Sequence, residues 1–267
     1  MMRQESVMTV RSICCLAGLA LAACLALGVP GGEARAAGDA EPVPNTDFSF
    51  DGLGGYDDAQ LRRGFQVYDQ VCSSCHGMKY VPLRTLGDPG GPEFSPERVR
   101  EIAGNYQVFD PELDDGLGGV RDAKPTDTFP ESSYPGAPDM SVIAKARPHG
   151  ADYIAALLQG YTGEDRFEAG TLLYENRYYE GGYLAMAPPL YGDDVVYADG
   201  TPATVAQQSE DVAAFLMWAA EPRLEARKRT GTVAVSILVL LTALLWLSNR
   251  KLWAPLKAEM KGDSGAP

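Results

Sequence analysis

Short stretches with helical apolar spacing alternate along the chain with long stretches that have none, and two runs are apolar on every side. Leu61, Phe65, Tyr68 and Cys72 recur at intervals of three and four, which predicts a helix whose apolar face leads to residue 72. Asp57 or Asp58 is placed to cap its first turn. A short helix is expected around Ser95 to Ile102. Another is expected over Ala151 to Gly160, where Tyr153, Ile154, Leu157 and Leu158 share a face and Gly160 ends it. Thr204-Val205-Ala206-Gln207 has the form of a capping box and opens a helix through Val212, Phe215, Leu216 and Trp218 to about Glu221, closed by Pro222. Residues 37–55 and Gly87 to Pro138 are dense in Gly, Pro and Asp, so little regular structure is expected there.

The two all-round apolar runs differ in kind. Ile13 to Val29 follows Arg3 and Arg11, is broken by Pro30, Gly31 and Gly32, and leads to Ala34-Arg35-Ala36. A positive start, an apolar middle and a small-residue end are the marks of a secretory signal peptide over residues 1–36, with the mature chain starting near Ala37. An uncleaved N-terminal anchor and lipidation at Cys24 are the competing readings. The second run carries no charge from Thr230 to Asn249 and is bracketed by Arg227, Lys228, Arg229 and by Arg250, Lys251. Twenty helical residues at about 1.5 Å each span the roughly 30 Å of a bilayer's hydrocarbon core. A domain plan follows: signal peptide 1–36, exported domain 37–222, transmembrane anchor 223–250 and cytoplasmic tail 251–267. Basic residues at both ends of the anchor do not orient it, whereas export of what precedes it does.

Charge sharpens this plan. Residues 37–222 hold 12 basic and 31 acidic side chains, a net charge of −19, while residues 223–267 are basic at +5. An acidic exported domain excludes nucleic acid as its partner and suits a basic protein or cation drawn in by long-range attraction. Solubility alone is the simpler use of such acidity.

The chemistry sits at the end of the first helix. Cys72-Ser73-Ser74-Cys75-His76 has the C-x-x-C-H form that attaches a c-type haem. Two thiols three residues apart on one turn can both add to porphyrin vinyl groups, and the next residue presents an imidazole to the iron. A C-x-x-C pair alone would also serve a redox disulfide or half of a zinc site. Once the signal is removed, Cys72 and Cys75 are the only cysteines, so no second pair completes a zinc site. The two histidines, His76 and His149, exclude a multi-histidine metal centre, and no phosphate loop, nucleophile elbow or internal repeat is present. For the other side of the iron, Met78 lies too close to His76, Met217 sits in a helix where methionine is usually core filler, and Met260 lies beyond the anchor. Met140, Met186 and His149 remain, and Met186 draws notice because Pro188 and Pro189 stiffen the backbone after it.

Several stretches resemble the cytochrome c1 family, the haem c subunits of ubiquinol–cytochrome c reductase (the cytochrome bc1 complex). They are Arg62 to Tyr68 running into Val71 to His76, Ala146-Arg147, Asp152-Tyr153, Gly160-Tyr161, Met186 to Tyr191, Asp199 to Thr204, and Trp218 to Pro222 leading to Arg227-Lys228-Arg229. They fall in the family's order between about Tyr56 and Lys257. The resemblance implies a mostly α, cytochrome c-type domain with long loops and one C-terminal transmembrane helix. It implies one covalent haem c, with His76 as proximal and Met186 as distal iron ligand, Arg147 near a propionate and Tyr153 near the haem. It further implies a one-electron carrier with no bond-making site of its own, which accepts from a Rieske iron-sulfur subunit, sits beside cytochrome b and donates to a soluble c-type cytochrome. The expected setting is a dimeric complex in the bacterial inner membrane, with the haem domain on the periplasmic side. The region before Pro138-Asp139-Met140-Ser141 is shorter than in the family, so no haem contact is carried over from 129–138. His149 stands one place from the family's usual histidine and takes no role.

Overall fold

The computed structural model describes residues 40–263. The signal-peptide segment and Cys24 lie outside the described residues. Helix α1 (Asp58–Val67) begins where the Asp57 carboxylate accepts from the Ala59 and Gln60 amides, so a single side chain fixes its start. Helix α2 (Pro96–Gly104) is capped by Ser95 and carries proline in its first turn, where the missing N–H costs nothing. Helix α3 spans Gly150–Gln159 and α4 spans Val205–Ala220. The Thr204 hydroxyl accepts from the Gln207 amide as a capping box requires, but the Gln207 side chain reaches forward to Asp211 at 3.0 Å.

Helix α4 is the centre of the core, with α1 and α3 against it. A β-carbon at Gly64 would stand 2.0 Å from the Asp211 carbonyl oxygen, so α1 and α4 cross backbone to backbone and only glycine fits. Around this crossing Phe215 meets Phe65 at 5.7 Å, Tyr68 at 5.8 Å and Trp218 at 5.5 Å. Phe129 extends the aromatic cluster to Tyr68 and Tyr106.

Two small antiparallel sheets stand outside the helices. Strands β1 (Gln107–Asp110) and β2 (Gly119–Asp122) form a hairpin within the stretch expected to be irregular. Strands β3 (Tyr161–Glu168), β4 (Thr171–Asn176) and β5 (Tyr183–Leu184) form a three-stranded sheet directly after α3. After Tyr161, β3 is exposed along its whole length, so it carries no apolar alternation by which a strand is recognised.

Helix α5 (Leu224–Asp263) follows α4 after a short turn at Pro222 and Arg223. Its apolar part, Leu224–Pro255, is long enough to cross a bilayer; Leu224 is buried in the core of the domain, whereas residues 229–255 are exposed throughout. The helix continues past Lys251 to Asp263. The extended lead-in at Phe48 to Tyr56 staples its first turns to the domain. Glu225 accepts from the Tyr56 amide at 2.8 Å, Lys228 donates to the carbonyls of Phe50 and Gly54, and the Tyr56 hydroxyl donates to the Glu221 carbonyl at 3.1 Å.

Candidate haem site

The apolar stripe of α1 does not run straight into the cysteines. After Val67 the helix widens to a π-turn over Tyr68–Cys72, closed by the Ser73 amide on the Tyr68 carbonyl at 2.8 Å. One extra residue in the turn takes Cys72 off the line of Leu61, Phe65 and Tyr68. Those three are buried, and Cys72, with part of the residue exposed, packs against the edge of the same core. The amides of Cys75 and His76 then both return to the Cys72 carbonyl, at 3.1 and 2.9 Å, which curls the pentapeptide into one tight turn. Burial pushes the Cys72 thiol up to about 12, with Cys75 as the second cause.

His76 is buried, and its ring is oriented by a backbone atom. Nδ1 lies 2.8 Å from the Pro138 carbonyl oxygen. A carbonyl only accepts, so the proton is on Nδ1 and Nε2 keeps its lone pair for a metal. The Tyr68 hydroxyl donates to the His76 carbonyl at 3.0 Å and fixes the backbone below the ring.

The segment from Phe129 to Ser141 clasps this turn. The Met78 amide donates to the Pro130 carbonyl (3.1 Å) and the Gly77 amide to the Ser132 hydroxyl (3.0 Å). The Ser133 hydroxyl donates to the Ser74 carbonyl (2.6 Å), the Met140 amide to the Gly77 carbonyl (2.8 Å) and the Lys79 amide to Asp139 (3.0 Å). A β-carbon at Gly77 would meet the Pro130 carbonyl oxygen at 2.1 Å, so the clasp demands glycine directly after the histidine. The short 129–138 region thus holds the motif itself, a role that sequence reasoning missed.

The other candidate residues fall in different surroundings. Met78 is completely buried in the core, and Met140 and Met217 pack against it. Met140 is also tied to Gly77, two residues from the carbonyl that holds Nδ1 of His76. His149 is exposed, with a left-handed backbone (φ 63°) at the start of α3. Met186 is half-buried in an irregular strap between β5 and α4, and its carbonyl accepts from the Tyr161 hydroxyl at 3.0 Å. Arg147 is exposed, and the only hydrogen bond of its guanidinium among the described residues is to the neighbouring Ala146 carbonyl. Tyr153 is half-buried on α3. Burial raises its phenol pKa, and the positive charge of Arg147 opposes that rise, which puts the two side chains in the same field.

The profile described as the Cytochrome C1 family matches residues 48–256. The chain belongs to the cytochrome c1 family. It is 44% identical to cytochrome c1 of Rhodobacter capsulatus over 80% of this chain and 90% of that protein. It is 41% identical to cytochrome c1 of Cereibacter sphaeroides over 91% of this chain and 98% of that one. A protein of Bradyrhizobium diazoefficiens named cytochrome b/c1 is 37% identical over 83% of this chain, which covers 37% of its length.

Membership of the cytochrome c1 family makes the chain a c-type cytochrome of the respiratory chain, mostly helical and anchored by a membrane helix. Its residues fit haem c. Two thiols and one imidazole share a single turn, and the imidazole has its proton committed to Pro138 and its other nitrogen left as a donor.

Proposed function

We propose that this cytochrome c1 carries one covalent haem c on Cys72 and Cys75, with His76 Nε2 as proximal and the Met186 sulfur as distal iron ligand. The orientation of His76 by Pro138 carries this reading, since it readies Nε2 for the iron while Cys72 and Cys75 are left for the covalent attachment. Met186 is favoured because Met78, Met140 and Met217 are committed to the core or to the His76 clasp, and His149 faces solvent. Bound there, haem supplies a single reversible electron, and a thioether opposite histidine favours its reduced state. Arg147 is assigned to a haem propionate and Tyr153 to the surroundings of the haem. A guanidinium without a carboxylate partner among the described residues can grip one with two parallel hydrogen bonds.

On this reading the chain is the electron-carrying subunit of a ubiquinol–cytochrome c reductase. It accepts from a Rieske iron-sulfur subunit and donates to a soluble c-type cytochrome. The relative named cytochrome b/c1 supports cytochrome b as its neighbour. A signal peptide followed by α5 as a late stop-transfer helix supports a haem domain on the periplasmic side of the bacterial cell membrane. The complex is proposed to be dimeric.

The test is the content of the complex extracted in mild detergent. Cytochrome b, an iron-sulfur centre and one haem c per chain are expected to co-purify. A lone haem c protein feeding another oxidase would overturn the assignment. The acidic exported face gives a second expected outcome. Electron transfer to a basic soluble cytochrome should slow as salt rises, because fields between exposed charges are screened within about 8 Å at physiological ionic strength. A salt-independent rate in stopped-flow measurement would rule out docking through that face.

A further inference from the structure

Met186 lies in a strap that runs without regular structure from β5 to the Thr204 cap of α4. A methionine side chain turns about three bonds and binds through a weak thioether, so its aim depends on how firmly its backbone is held. Two grips hold the strap, one on each side of residues 187–190.

The upstream grip is Tyr161, whose hydroxyl donates to the Met186 carbonyl at 3.0 Å. Its place is fixed by the junction between α3 and β3. Tyr161 is the first residue of β3, follows the C-cap Gly160 and pairs with Asn176 of β4. Asn176 is fully buried; its amide nitrogen donates to the Leu157 carbonyl at 2.7 Å and its oxygen accepts from the Tyr178 amide at 3.0 Å. The Arg177 amide closes on the Gly160 carbonyl at 3.1 Å, and a β-carbon at Gly160 would stand 2.6 Å from Asn176 Oδ1. The tyrosine therefore projects from a close-packed joint.

The downstream grip is Asp194. Its Oδ2 accepts from the amides of Tyr191 and Gly192, both at 2.9 Å, and from the side-chain amide of Gln208 at 3.1 Å. Gln208 is fully buried in the first turn of α4 and also donates to the Ala203 carbonyl at 2.7 Å. Between the grips, Pro188 and Pro189 fix φ and Leu190 is buried.

We propose that Tyr161 is a positioning residue for the distal ligand: its hydroxyl pins the Met186 backbone while the Asp194–Gln208 latch pins the strap beyond the two prolines. This rests on the proposed ligation by Met186. The test compares Tyr161→Phe, Asp194→Ala, the double variant and Met186→Leu in the full-length holoprotein. Three quantities are read: the long-wavelength sulfur-to-iron charge-transfer absorption of the oxidised protein, carbon monoxide binding to the reduced protein, and the melting temperature. Tyr161→Phe should weaken the absorption and raise carbon monoxide affinity about two- to tenfold, the worth of one hydrogen bond. The double variant should exceed either single one, because both grips restrain one strap. Haem attachment should be unchanged throughout. If Tyr161→Phe only lowers the melting temperature, with absorption and affinity as in the parent, the proposal is overturned while Met186→Leu still abolishes the absorption. If Met186→Leu itself leaves the absorption intact, the ligand assignment fails and this inference falls with it.

Discussion

Replacing Met186 with Leu is expected to lower the reduction potential sharply and to open the iron to carbon monoxide, with the fold intact. Leucine has nearly the volume of methionine, and such swaps usually cost under about 1.5 kcal/mol even in a packed core. Met186 is only half-buried, so the packing cost here is smaller still. What leucine removes is the sulfur lone pair. On the proposed ligation the sixth position then holds water or nothing, the reduced iron loses the donor that favours it, and the potential drops by a sizeable part of the roughly 0.8 V that axial ligands span. Carbon monoxide, nearly excluded from the parent, should bind the reduced variant stoichiometrically. Redox titration and the carbon monoxide difference spectrum check both effects. An unchanged potential would return attention to Met140 or His149, against their positions: Met140 is tied to Gly77 within the His76 clasp, and His149 is exposed at the start of α3.

The parts legible from sequence are those where a side chain carries the information. Asp57, Ser95 and Thr204 each mark a helix start through a single oxygen, and each helix begins at the next residue. The C-x-x-C-H turn is legible for the same reason, because thiols and imidazole are named in the chain. Pro138 was not, since its contribution is a backbone carbonyl 62 residues from His76 and any residue type could supply it. The π-turn at Tyr68–Cys72 was also hidden: the spacing of Leu61, Phe65, Tyr68 and Cys72 is that of an ordinary α-helix. The sheet escaped because β3 has almost no inward face. Tyr161 is one of 13 tyrosines, and only the fold singles it out by setting its hydroxyl on the Met186 carbonyl.

Removing the Asp211 carboxylate, as in Asp211→Ala, should destabilise the haem domain by about 3 kcal/mol, the lower end for breaking a buried ion pair. The Asp211 side chain is completely buried and takes a two-pronged grip from Arg63, Nε to Oδ2 at 3.0 Å and Nη2 to Oδ1 at 3.1 Å. Gln207 donates to the same carboxylate at 3.0 Å. The variant would leave Arg63 with Asp199 alone, at 2.9 Å and half in water, and Gln207 without its acceptor. Arg63 keeps 17% of its side chain exposed, so water relieves part of the orphaned charge, which places the cost at the lower end of the range. The site matters because Gly64, next to Arg63, touches the Asp211 backbone where α1 crosses α4. A loosened crossing frees the helix that delivers Cys72 to the haem turn. For a domain of this size about 3 kcal/mol corresponds to a fall of roughly 6–12 °C in melting temperature. Asp211→Asn, which keeps the shape and one acceptor oxygen but not the charge, should lose less. Melting followed by circular dichroism distinguishes the outcomes, and equal losses for the two variants would show that the ion pair alone, and not the shape of the side chain or its remaining acceptor, holds the crossing.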